Sequence, residues 1–195
     1  GWGRWVGGGG GGEGGGLGGG SRGAGVSWER EGIRVGIVGE LFGEAADTVC
    51  APVAGEAVGI QQVSDPTFGQ EILGKGIAIK PSEGRVVAPC DGTVDMMFDT
   101  GHAVSLVADF GAEILIHVGL DTVNLKGKHY HVYAKKGDKV KKGDLLMEFD
   151  PEAIKAEGYD IITPVIVCNS GDYTVFQPYV EKTVKTGDEV ITLSK

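Results

Sequence analysis

From Thr48 onward the chain is built of short apolar, β-branched runs that are repeatedly interrupted by turn residues. Gly76–Lys80 (GIAIK), Arg85–Ala88 (RVVA), Ala103–Ala108 (AVSLVA), Ile114–Val118 (ILIHV), Leu145–Phe149 (LLMEF) and Val165–Cys168 (VIVC) have the length of strands and are too short for core helices. Asp91-Gly92, Lys136-Gly137-Asp138, Lys142-Gly143-Asp144 and Thr186-Gly187-Asp188 supply the turns. Helical spacing is rare; Pro151–Glu157 is the segment expected to form a short helix, with Asp150 as its N-cap and Pro151 in its first position. The pattern predicts an all-β fold, an antiparallel sandwich or barrel.

Two units occur twice. Ala51-Pro52-Val53-Ala54-Gly55 is echoed by Ala88-Pro89-Cys90-Asp91-Gly92, and Val140-Lys141-Lys142-Gly143-Asp144 by Val184-Lys185-Thr186-Gly187-Asp188. A twofold use of one strand–turn unit predicts internal duplication, not a solenoid of three or more repeats. The first residues read differently: glycine supplies nearly everything from Gly7 to Gly20. Such a stretch cannot bury enough apolar surface to offset its chain entropy. Residues 1–47 are therefore expected to be a disordered, Gly-rich linker or a non-native extension, and 48–195 one compact domain. Gly32–Gly43 is mildly apolar and is assigned no function.

The formal net charge of −9 argues against a nucleic-acid partner and favours partners with basic docking patches. No apolar run approaches the roughly 18 residues of a membrane span, and no secretory pattern is present. The first residue is Gly1, as in a fragment, a processed chain or the tail of a longer polypeptide. Cys50, Cys90 and Cys168 are odd in number and have no metal-type spacing, so three reduced thiols are expected.

The candidates for chemistry are the four histidines. His129 and His131 flank Tyr130 beside a Gly-rich turn; they are read as surface residues, because no further ligand stands at metal-site spacing. His117 sits amid Ile114, Leu115, Ile116 and Val118, where an imidazole must find a polar partner. A core histidine bonded to a backbone carbonyl satisfies that requirement as well as a nucleophile does. Strand alternation puts Leu115, His117 and Gly119 on one face and Ile114, Ile116 and Val118 on the other. His117 can thus point outward, with Gly119 expected to leave open space beside the ring. A neutral imidazole is a good nucleophile near pH 7. A second imidazole, His102, and the Thr100 hydroxyl are candidates to stabilise a transferred phosphoryl group. Asp121 is read as a surface carboxylate meeting a basic partner. No nucleotide-binding GxxxxGK[ST] or GxSxG nucleophile turn is present, and the polyglycine run matches GxGxxG only trivially.

At this point the residues resemble a family. The runs APVAGEAV at 51–58, SDPTFGQEILGKGIAIKPSEGRVVAPCDGTV at 64–94, FDTGHAVSL at 98–106 and EILIHVGLDTVNLKG at 113–127 are similar to the IIA domain of the glucose/β-glucoside superfamily of the phosphoenolpyruvate:sugar phosphotransferase system. VKKGDLLMEFD at 140–150 and EGYDIITPVIVCNSGDY at 157–173 extend the match, the latter being most like IIA domains at the end of β-glucoside permeases. The resemblance implies a duplicated antiparallel β-sandwich with His117 as the phosphorylated residue, His102 supporting transfer and Thr100 assisting it. It implies a histidine-containing phosphocarrier protein as donor, a IIB-domain cysteine as acceptor, and a membrane IIC domain in the same longer chain or a separate one. It also implies an apolar docking ring at Phe68, Phe98, Leu115 and Val123, with Asp65 and Asp121 as acidic rim positions. Leu115 stands where some members have Phe, and His129 where Gly is common. The expected location is cytoplasmic, free or tethered to the inner face of the membrane through a permease.

No cofactor and no resident metal are expected. Zinc held by His102 and His117 would lack two of four ligands. The competing reading is a regulatory binding protein that inhibits permeases or kinases in its unphosphorylated form through the same apolar face. The sequence does not specify the sugar.

Overall fold

The computed structural model describes residues 46–195. The linker expected over 1–47 lies, up to residue 45, outside the described residues, as does the apolar segment Gly32–Gly43. The described chain is almost wholly antiparallel sheet: β1 (Asp47–Cys50), β2 (Gly55–Gly59), β3 (Lys75–Pro81), β4 (Arg85–Val87), β5 (Gly92–Met97), β6 (Ala103–Ala108), β7 (Glu113–His117), β8 (Tyr130–Val132), β9 (Lys139–Val140), β10 (Leu145–Phe149), β11 (Thr163–Val167), β12 (Val175–Pro178), β13 (Lys182–Val184) and β14 (Glu189–Ser194). Two short helices interrupt it, α1 (Pro66–Gly69) and α2 (Pro151–Ala156). Both start from an aspartate cap followed by proline. Asp65 accepts the Thr67 N–H at 2.8 Å and Asp150 the Ala153 N–H at 3.0 Å. The sequence announced α2 but not α1, whose four residues are too few to show a period.

The strands form an eight-stranded sheet in the order β13-β2-β3-β11-β7-β6-β5-β9 and two three-stranded sheets, β1-β14-β12 and β4-β10-β8. The long sheet reads the same from either end once halves are matched: β13 corresponds to β9, β2 to β5, β3 to β6 and β11 to β7. The approximate two-fold axis runs between β11 and β7, which pair through Val165 and Ile116. Individual bonds obey it. The Cys50 N–H donates to the Pro89 carbonyl at 3.0 Å, while the Val87 N–H donates to the Pro52 carbonyl at 2.8 Å, an exchange between the two Ala-Pro units. Ala51 N–H reaches the Asp188 carbonyl at 2.7 Å and Ala88 N–H the Asp144 carbonyl at 2.8 Å. Gly55 and Gly92 open equivalent strands, and a Cβ there would lie 2.1 Å from the Lys80 carbonyl oxygen and 2.4 Å from that of Val107. Gly92, expected in a turn, is therefore a strand residue chosen for close backbone approach. The duplication predicted from the two repeated units is a property of the whole fold.

The main core draws on both halves and includes Val49, Ile79, Val104, Leu106, Ile114, Ile116, Leu146, Met147, Ile191 and Leu193. On the opposite face of the long sheet the two halves diverge. The β2–β3 connection, residues 60–74, folds Ile60, Val63 and Phe68 onto Val58, Ala78 and Ile166. The equivalent β5–β6 connection spans residues 98–102 only. It leaves the β7 side of that face open, and there His117 stands. The chain enters and leaves this domain side by side, since β1 pairs antiparallel with β14 from Asp47↔Leu193 onward.

Candidate functional site

β7 runs Glu113–His117 with Ile114 and Ile116 fully buried, and Leu115 and His117 half-exposed. The expected alternation therefore holds. His117 is the last residue of β7 and pairs with Ala103, the first of β6. His102, one residue earlier, is thereby carried to the same place; it is 4% exposed. The two imidazole centroids are 4.8 Å apart, with ring planes at 79°.

Each ring is fixed at Nδ1. His117 Nδ1 lies 2.7 Å from the Gly119 carbonyl oxygen. A carbonyl only accepts, so Nδ1 carries the proton and the Nε2 lone pair is free. His102 Nδ1 lies 2.5 Å from the Thr100 hydroxyl. The expectation of open space at Gly119 is corrected here. A Cβ on this residue would come within 2.5 Å of Thr122 Cγ2 and 2.8 Å of the Asp160 carbonyl oxygen, and its φ is +82°. Glycine is present because the backbone must turn left-handed in a crowded place and aim its carbonyl at the imidazole. The preceding residue is also tied down. Val118 donates its N–H to the His102 carbonyl at 2.7 Å, and its own carbonyl accepts from the Thr122 hydroxyl at 2.7 Å and the Tyr130 hydroxyl at 2.9 Å.

Burial lowers the pKa of His117, against the opposing effects of the Gly119 bond and the Asp65 and Asp121 charges. Burial, and then the neighbouring His117, lower His102 to about 4. Desolvation wins at both residues, so both imidazoles are neutral near pH 7.

The apolar positions named from the sequence surround these rings unequally. Phe68 packs 5.0 Å from the His117 ring and Phe98 5.4 Å from the His102 ring. Phe98 and Val123 are 37% and 49% exposed. Phe68, expected in a docking ring, is only 5% exposed and backs the imidazole from beneath. Leu115 packs against the second cluster. Asp65 is half-buried as the α1 cap, and Asp121 is exposed in a left-handed conformation (φ 57°). Both line a cavity of about 590 Å³, together with Tyr159 and Asp160. Sequence reasoning missed Ile72 and Leu73, which are 67% and 40% exposed just after α1. Two adjacent apolar residues between a turn and a strand were the available signal.

The remaining candidates stand elsewhere. His129 pairs with Glu157 at 2.9 Å, and His131 is exposed on β8 against Tyr133. Among the described residues no group of three or more His, Cys, Asp or Glu is placed to hold a metal ion. Cys50 and Cys90 are buried and Cys168 is exposed; all three are free thiols. Burial pushes Cys90 up to about 12.

Residues 47–173 match the family described as phosphoenolpyruvate-dependent sugar phosphotransferase system, EIIA 1. The chain belongs to that family. Its members among curated proteins include the β-glucoside-specific EIIBCA component of Dickeya chrysanthemi, 50% identical over 132 residues, which make up 68% of this chain and 21% of that protein. The glucose-specific EIIA component of Oceanobacillus iheyensis is 47% identical over 123 residues, 63% of this chain and 74% of that one. Among solved structures, the glucose permease IIA from Mycoplasma capricolum superposes with a TM-score of 0.73 at 32% identity, covering 77% of this chain and 97% of that one. The chain spans about a fifth of the length of the β-glucoside EIIBCA relatives. This EIIA chain is thus a phosphotransferase-system protein with the β fold of a IIA domain. Among its described residues no helix is long and apolar enough to cross a membrane.

Proposed function

We propose that the chain is a phosphoryl carrier in uptake of a sugar of the glucose or β-glucoside class, with the phosphoryl group held on Nε2 of His117. The observation that carries this reading is the 2.7 Å contact from His117 Nδ1 to the Gly119 carbonyl. It leaves Nε2 unprotonated on a ring that burial keeps neutral. In the first step the Nε2 lone pair forms a P–N bond as the donor's own P–N bond breaks; the donor is a histidine-containing phosphocarrier protein. In the second, a IIB-domain cysteine thiolate forms a P–S bond as the His117 P–N bond breaks. In this reading the Thr100 hydroxyl acts as the donor across its 2.5 Å contact with His102 Nδ1, which puts the His102 proton on Nε2. That N–H is then a neutral donor for a phosphoryl oxygen, needing no charge of its own. Phe98, Val123, Leu115 and Phe68 shape the apolar surround, and Asp65 and Asp121 meet basic partner residues. The domain works at the cytoplasmic face, with IIB and IIC parts in the same chain or in separate ones.

The test is incubation with phosphoenolpyruvate, enzyme I and the phosphocarrier protein, followed by mapping of acid-labile phosphate by mass spectrometry. Phosphate appears on His117 and is absent from His117→Ala, while His102→Ala retains phosphate on His117 but passes none to a IIB cysteine. A folded chain that takes up no phosphate from active donors would overturn the transfer reading. The regulatory binding role would then lead, since the same exposed apolar residues could serve it.

A further inference from the structure

We propose that Asp160 is a positioning residue for His117, acting through the single peptide group that joins Gly119 to Leu120. The proposal rests on the carrier role of His117 and adds a residue to it.

The carbonyl of that peptide accepts the His117 Nδ1–H at 2.7 Å. Its N–H, on Leu120, donates in the opposite direction to the Asp160 carbonyl at 2.9 Å. In a trans peptide the two groups lie in one rigid plane and point in opposite directions within it. Asp160 therefore holds one edge of the plane whose opposite edge holds the His117 imidazole. Gly119 N–H adds a second tie to the same turn, reaching the Ile162 carbonyl at 3.2 Å. The conformation of residues 160–162 thus sets where the Gly119 carbonyl sits.

The Asp160 side chain fixes that conformation. Its Oδ1 accepts the Ile162 N–H at 2.8 Å, closing an Asx turn over Asp160, Ile161 and Ile162. Beyond the turn, Ile162 is 5% exposed and packs in the cluster that also holds Phe68, the ring against His117. The absence of a side chain on Gly119 makes the approach possible, since a Cβ would lie 2.8 Å from the Asp160 carbonyl oxygen. The charge of Asp160 is not its contribution: the carboxylates acting on His117 are Asp65 and Asp121. An exposed aspartate at the mouth of an acidic cavity would ordinarily be read as a docking charge. Its hydrogen bond gives it a different task.

Three variants of the full chain separate geometry from charge. Asp160→Asn keeps the acceptor and loses the charge. Asp160→Glu keeps the charge, but its longer side chain does not close the turn. Asp160→Ala loses both. The first readout is the His117 tautomer in the unphosphorylated protein, taken from imidazole nitrogen–proton correlations; it needs no partner protein. Wild type and Asp160→Asn are expected to hold the proton on Nδ1. Asp160→Glu and Asp160→Ala are expected to show a mixed population and roughly tenfold slower phosphorylation. An unchanged tautomer in both Asp160→Glu and Asp160→Ala would overturn the proposal, and so would Asp160→Asn losing as much rate as Asp160→Ala. Should Asp160→Ala not fold, the Asn and Glu variants decide alone. Tautomer changes in a chain that takes up no phosphate would sink the carrier reading and leave the positioning role standing.

Discussion

His102 is buried beside a second imidazole, and this ties stability to pH. Its pKa falls from the ordinary value near 6.5 to about 4 on folding. Between those values the unfolded chain binds a proton that the folded chain refuses, so stability falls as pH drops through that window and is fully present above it. His117 shifts in the same direction for the same first cause, burial. The carboxylates of Asp91, Asp138 and Glu157 lie below their ordinary values through hydrogen bonds from lysines, and from His129 at Glu157; they add their own loss at more acidic pH. The diagnostic quantity is therefore a difference. We predict that the melting temperature of His102→Gln declines less than that of wild type between pH 7.5 and pH 5, as thermal melts at matched ionic strength would show. Equal declines would mean that His102 is solvated and free to protonate.

Within the β7-to-turn element, one position concentrates backbone demands. Gly119 needs a left-handed φ, fits against Thr122 and Asp160, and presents the carbonyl that orients His117. Gly119→Ala is expected to cost about 2–4 kcal/mol in chemical denaturation, from strain and overpacking together. It should also slow phosphorylation far more than the stability loss explains. The sequence made much of this element legible: β6 and β10 run from Ala103 to Ala108 and from Leu145 to Phe149, as their apolar runs require, and the face of His117 follows from alternation alone. What it hid has a common character. The Gly119 carbonyl, the Val118 carbonyl shared by Thr122 and Tyr130, and the Asp160 turn are all arrangements in which a side chain meets a main-chain group. A motif shows which side chain is present, not which peptide group it will face. Gly119 illustrates the error: a residue without a side chain reads as vacancy, whereas its surroundings are full.

Across the whole molecule, the duplication makes paired predictions available. Asp144 accepts the Lys141 N–H and Asp188 the Lys185 N–H, each at 2.8 Å, around Gly143 and Gly187 with φ of 92° and 90°. Asp138 repeats the device at Lys135 and Gly137. Asp144→Ala and Asp188→Ala should therefore destabilise by similar amounts, about 1 kcal/mol each. Denaturant midpoints of the two variants would check this, and their double variant should be additive if the turns act independently. The repeated Ala-Pro and Val-Lys-X-Gly-Asp units were enough to foresee two copies of one design. The asymmetry that matters for chemistry was not visible in them, because it arises where residues 60–74 cover one half and the short 98–102 connection leaves the other bare. The pairing of β1 with β14 has a mechanical counterpart. Asp47 and Leu193 face each other across that pair, so a force drawing the two strands apart at this end would open them one backbone bond at a time, as a zipper opens. That edge belongs to the β1-β14-β12 sheet, whereas His117 ends a strand of the eight-stranded sheet and His102 immediately precedes another, so the seam that unzips carries neither histidine.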